Sequence, residues 1–239
     1  MWRKAWLESR WRFAICMAML IVIFGADIYQ ADLNMPRMGI LPNQFNKYVW
    51  KMSFTRFYFF WILSALLLGM GGLVSERASG SSDFSLSLPV SRRRWNAVRG
   101  CMSTSQVFLL AMLPAVVVPA IAGLSGKFYP VPEAANFSIV IFLSGLFYLA
   151  LGLLYSSCFA GQSASVALGI ATVMALTVLS NPITGRHALL SMNPVPESTL
   201  NEMFFLANGR WPVEFVLSRI ALAAVLWEAS TRIVEKKDF

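Results

Sequence analysis

The residue types that usually break and make bonds are scarce in this chain and poorly spaced for it. Its one histidine, His187, follows Arg186 in a polar connection. It has neither an HExxH helix nor a second His or Cys at metal-ligand spacing, so it reads as an exposed loop residue. No GxSxG turn is present to raise a nucleophilic serine. No GxxxxGK[ST] loop is present to cradle the phosphates of ATP. No residue is therefore expected to be catalytic, to ligate a metal or to hold a cofactor. What remains is the chemistry of charge in a medium of low dielectric. Asp27, Glu214, Arg219 and Glu228 fall inside long apolar runs or at their ends, where an ionised group is costly unless paired or wetted. Glu228 has Arg232 one helical turn away, a local pair worth a few tenths of a kcal/mol. Asp27 and Arg219 fall at similar depths, which suggests either a pair between helices or the lining of a polar path.

The elements that must position these charges follow from the apolar runs themselves, at 13–30, 57–75, 104–124, 137–157, 164–181 and 212–230. Each is about 17 to 21 residues long, enough for a helix to cross about 30 Å of hydrocarbon. The runs are continuous, without the alternation of a porin strand, and a lipid-embedded backbone must satisfy its own hydrogen bonds. Composition agrees: 57% of the 239 residues are hydrophobic and 13% are charged, against about 25% charged in soluble domains, and the mean hydropathy is +0.60. The expectation is a single all-α polytopic membrane domain over 1–239 with six transmembrane helices. The fifth run, rich in Ala, Ser and Thr, suits close helix contact in the bundle interior. Pro114 and Pro119 should bend or break the third.

Net charge is +8, but its placement points to membrane topology and away from nucleic acid. With both termini cytoplasmic, twelve Lys and Arg residues lie inside, at the N-terminus, between runs two and three, and at the C-terminus. Seven lie outside, including Arg37, Lys47, Lys51 and Arg56 in the first outer loop. That loop also carries Phe45, Tyr48, Val49 and Trp50, and is expected to lie partly along the lipid headgroups. The first run is followed by no A-x-A cleavage pattern and reads as a retained anchor, not a signal peptide. Three cysteines on a reducing side do not make a disulfide framework.

Two cytoplasmic features stand out. Residues 1–12 place Trp2, Trp6 and Leu7 on one side of a helical wheel, near Trp11, with Arg3, Glu8 and Arg10 largely away from it. Such an amphipathic helix suits the inner headgroup layer or the surface of a cytoplasmic subunit. Between runs two and three, a Ser/Gly stretch follows Glu76 and Arg77, then FSLSL, Pro89 as a stop, and Ser91 as a cap for a helix opening RRRW. This makes a compact elbow over 76–99.

SER followed by SLPVSRRRW-x-x-VRG resembles the first cytoplasmic loop of ABC-2 type transporter permeases, and the six-run layout matches theirs in outline. The resemblance implies that the elbow contains a coupling helix seated in a groove of a separate ATP-binding subunit. Glu76, Arg77, Leu88, Pro89, Val90, Ser91 and Arg92 would then be the ATPase-coupling residues. The N-terminal helix would lie beside the elbow at the membrane, and the outer loop 182–211 would hold short interfacial helices. ATP and Mg2+ would bind a dimer of cytoplasmic ABC ATPase subunits and not this chain. A six-helix bundle supplies one half of a central pathway, so a second copy or a related permease is expected beside it, within the lipid of a bacterial inner (cytoplasmic) membrane.

The function expected is that of the membrane-spanning permease subunit of an ATP-driven transporter, an exporter. A different class of reading has the same elbow recruit a cytoplasmic partner to a non-transporting scaffold or sensor subunit. A channel or secondary transporter is disfavoured, since neither an inverted repeat nor a filter signature is visible.

Overall fold

The computed structural model describes residues 2–41, 44–70, 92–159, 162–179 and 213–236. Among these, every regular element is a helix. They are α1 (Trp2–Tyr29), the short α2 (Ala31–Arg37), α3 (Phe45–Gly69), α4 (Arg92–Ala111), α5 (Leu113–Leu124), α6 (Val131–Cys158), α7 (Gln162–Leu179) and α8 (Val213–Lys236). Among the described residues, four segments are long and apolar enough to cross a membrane: Trp2–Tyr29, Phe45–Gly69, Arg93–Leu124 and Val131–Cys158. Helices also stand at the fifth and sixth apolar runs. The apolar part of α7, Ser163–Ala175, is shorter, and α8 carries Glu214, Arg219, Glu228, Arg232 and Glu235 along its length.

The centre of the bundle is α6. Its sequence is apolar around most of its circumference, the pattern of a helix enclosed by others. It buries residues on every side, from Ala134 and Phe137 through Ser144 and Tyr148 to Ser157. Helices α3, α4, α5, α7 and α8 all pack on it, with α8 and α3 the most extensive neighbours. α1 packs against α3, α4 and α5. Without a hydrophobic driving force between helices in lipid, such contacts depend on fit. Where α3 crosses α6, glycines permit it: a Cβ on Gly69 would stand 2.5 Å from the Leu149 carbonyl oxygen, and one on Gly152 2.5 Å from that of Leu66.

Two local expectations can be compared directly. The third run does break: α4 stops at Ala111, the chain turns at Met112, and α5 restarts at Leu113 with Pro114 in its first turn, where a missing N–H costs nothing. The aromatic part of the first outer loop, by contrast, is packed inside the bundle. Phe45, Tyr48, Val49 and Trp50 are buried, because α3 starts twelve residues before the second run and, after an α-helical turn at Phe45–Tyr48, widens into a π-helical turn over Val49–Phe54. That wider turn carries Trp50 and Phe54 inward. Phe54 stacks on Phe137 of α6 with ring centroids 4.0 Å apart, and Trp50 meets both rings edge-on.

Candidate functional site

Basic residues of three helices gather at one end of the bundle. Three helices bring them there: the start of α1, the start of α4, and the last turns of α8. Residues 2–12 form the first turns of α1 itself, continuous with its membrane-length part. Trp2, Trp6, Leu7 and Trp11 are exposed, whereas Ala5 is buried and Glu8 and Ser9 are partly so. The tryptophans therefore face outward and the Glu8 side faces α4.

That inward side is well bonded. Glu8 pairs with Arg99 of α4 at 3.5 Å and with Lys4 at 3.7 Å, one turn back on α1. The Lys4 ammonium also lies 5.2 Å from the centre of the Trp95 ring. Gln106 donates a hydrogen bond to Ser9 at 2.7 Å. Arg12 reaches across to donate to the carbonyl of Met70 at 2.5 Å, just past the end of α3. There a helix leaves carbonyls without intrahelical partners, and a cation is favoured.

The same stretch of α4 is held from two further sides. Ser103 donates to the Leu68 carbonyl of α3 at 2.9 Å. Asn96 donates to the Thr231 hydroxyl of α8 at 3.1 Å, both side chains being buried. Trp227 of α8 lies directly against Gly100, and the hydroxyls of Ser230 on α8 and Ser157 on α6 are 2.7 Å apart. α4 begins at Arg92, where the sequence places a helix opening RRRW. Of the residues expected to couple, Arg92 is thus the first of α4, and Glu76, Arg77, Leu88, Pro89, Val90 and Ser91 lie outside the described residues. So does the outer loop 182–211.

The intramembrane charges are arranged differently from expectation. Asp27 does not pair with Arg219; its carboxylate accepts a hydrogen bond from Arg56 at 2.5 Å. The reason is packing: α1 lies on α3, while α8 lies along α6 and α4, so Arg219 faces α6. There its guanidinium, 1% exposed, sits 5.0 Å from the centre of the Phe147 ring and 5.9 Å from that of Tyr148. Tyr58 and Tyr148 are both within its electrostatic reach. Around Asp27 the chain adds polar support, since the Tyr48 hydroxyl donates to the Asp27 carbonyl at 3.1 Å and Asn34 donates to that hydroxyl. At the same end Lys127 pairs with Asp32 at 2.5 Å, tying α2 to the connection between α5 and α6. Glu228 and Arg232 make their expected local pair at 2.9 Å.

An apolar run that begins at residue 57 leaves Arg56 in a loop. The aromatic residues upstream carried the missing signal: Phe45, Val49, Trp50 and Phe54 recur at helical spacing and extend the helix back through Arg56.

No curated protein matches this chain. A family model described as "ABC-2 family transporter protein" matches residues 8–223, from the inward-facing Glu8 of α1 into the middle of α8. With that much of the helical bundle inside the match, the chain belongs to the ABC-2 transporter family, as a multi-pass membrane subunit that leaves ATP hydrolysis to a separate ABC ATPase.

Proposed function

We propose that this chain is the permease half of an ATP-driven exporter, converting closure of a cytoplasmic ATPase dimer into alternating access of a membrane pathway. Family membership supports the class. The observation that carries the mechanism is the bonding of α4 at its start. The elbow 76–99 runs into the first turns of α4, and within its first four turns α4 is tied to α1 by Arg99, to α3 by Ser103 and to α8 by Asn96 and Gly100. A push on the elbow reaches all three helices at once. In this reading Glu76, Arg77, Leu88, Pro89, Val90, Ser91 and Arg92 meet the ATPase, which binds ATP and Mg2+. A second copy or a related permease completes the pathway, and the basic end faces the cytoplasm of a bacterial cell.

Two such units rocking against each other is a rigid-body transition of a familiar kind. The break at Met112 divides the third membrane-length segment into a stretch joined to the elbow and a stretch joined to α6, which lets the first tilt without carrying the second.

The test is reconstitution with the co-purifying ATPase. Glu76→Ala, or Leu88→Asp with Val90→Asp, should reduce permease-dependent ATP turnover while membrane insertion persists. Inverted vesicles should accumulate cargo in the presence of ATP. Unchanged turnover in an assembled complex would remove the coupling assignment, and an unaltered chain that brings down no ATPase would remove the permease reading as a whole.

A further inference from the structure

The described helices α3 and α4 end and begin on either side of the connection 71–91, and α1 grips both of these roots. On the upstream side, Arg12 donates to the carbonyl of Met70, the last described residue before the connection. On the downstream side, Glu8 pairs with Arg99, two turns into α4. Glu8 and Arg12 are one helical turn apart on the same face of α1, and the interaction is mutual, because Arg12 feels the charges of both Arg99 and Glu8. These groups surround one small gap together with Ser9, Leu68 and Ser103. The arrangement is balanced by sign: the Glu8 carboxylate, paired with Arg99, acts on Arg12 against the repulsion from Arg99. Arg99 is 14% exposed and Glu8 30%, so solvent screens the pair only in part.

We infer that Glu8 and Arg12 are positioning residues that clasp the two roots of the elbow to α1, so that the elbow and α1 move as one body during coupling. This rests on the permease reading above, which supplies the movement to be transmitted. The physical content is that elbow motion without the clasp would flex the roots of α3 and α4 independently, and part of the stroke would be lost before it reached α1. Arg12 fixes the upstream root through a carbonyl, which no sequence change at Met70 can remove. Glu8 fixes the downstream root through charge, which can be reversed and restored.

That reversibility gives the experiment. The full chain, with its three cysteines replaced by alanine and spin labels at W11C and R93C (both exposed positions), is reconstituted in nanodiscs with its co-purified ATPase. The distance distribution between the labels is measured with ADP and with ATP, alongside ATP turnover and thermal stability. E8R should broaden the distribution and uncouple its response to ATP. Permease-dependent turnover should fall roughly two- to fivefold, the scale set by loss of one partly screened pair, with ATPase stoichiometry unchanged. The swap E8R/R99E should restore both readouts. R12M should disturb the distance in the same direction without being rescued by R99E.

A label distribution unmoved by E8R would overturn the proposal, and so would one that moves while turnover and its ATP response stay unaltered. A loss of thermal stability without a change in the ATP-driven distance would make the pair merely structural and overturn it as well. Failure of the permease reading shows itself separately, in the unsubstituted chain, as the absence of any co-purifying ATPase.

Discussion

Gly100 and Trp227 share one space: the indole on α8 lies where a side chain on residue 100 of α4 would begin. The contact lets the two helices approach at the end where α4 takes up the elbow, and it makes the fit between them strict. A methyl group at residue 100 must displace a large ring packed between helices, and overpacking of this kind costs about 1–3 kcal/mol. Gly100→Ala should therefore lower the thermal unfolding midpoint in detergent. Trp227→Ala in the same chain should recover part of the loss, giving a clear coupling energy in a double-mutant cycle.

The pairing of Asp27 with Arg56 makes a prediction that the alternative partner would not. In double-mutant cycles, D27N and R56M should couple by about 1 kcal/mol, between the values for exposed and for buried pairs. D27N and R219M should add to within about 0.5 kcal/mol, as independent sites do. Coupling of Asp27 to Arg219 and not to Arg56 would reverse the assignment of helix neighbours.

Arg219 on its aromatic platform should tolerate lysine poorly. The guanidinium is planar and stacks over rings, whereas an ammonium is a compact and strongly hydrated charge. R219K is expected to lower stability by about 1 kcal/mol or more, in line with a desolvated cation–π contact. Y148F keeps the ring and should cost less than Y148A, which removes it.

The sequence reaches further at some elements than at others. The apolar runs located a helix at all six positions because hydropathy depends on local composition alone. The break near Pro114 was equally legible, since a missing N–H and a fixed φ act within one turn. The start of α3 was not, because Phe45 through Phe54 mix lysines with aromatics and a window of average hydropathy blurs them. Their helical spacing carried the information that their mean did not. The Asp27 partner was illegible for a different reason. Depth along the membrane can be read from one sequence, but which helices touch depends on packing, and Gly69 and Gly152 decide that through shape. The clasp between Glu8, Arg12 and the roots of the elbow likewise joins residues far apart in the chain, and nothing local marks them as neighbours.

Cysteine chemistry can test the orientation. Cys158 closes α6 at the basic end and is exposed, whereas Cys16 is buried within α1. In single-cysteine chains, a membrane-impermeant maleimide should label Cys158 from the cytoplasmic face of inverted vesicles and not from the outside of intact cells. Cys16 should stay unlabelled in both until the protein is denatured. Labelling of Cys158 from outside the cell would invert the topology.

The place of α6 at the centre has a consequence for how the chain is made. Synthesis delivers α1 and α3 before α6 and α8, and their Asp27–Arg56 pair is closed over a separation of 29 residues, so both charges can be neutralised before α6 enters the bilayer. α8 emerges after α6 and carries charges along its length, with Arg219 in its first half. By then Phe147 and Tyr148 are already standing in the membrane on α6, offering the arginine a surface that lipid does not. α8 thus enters against a template built by the helices before it. Its insertion is a docking event onto protein, and a defect in α6 should appear first as a failure to integrate α8.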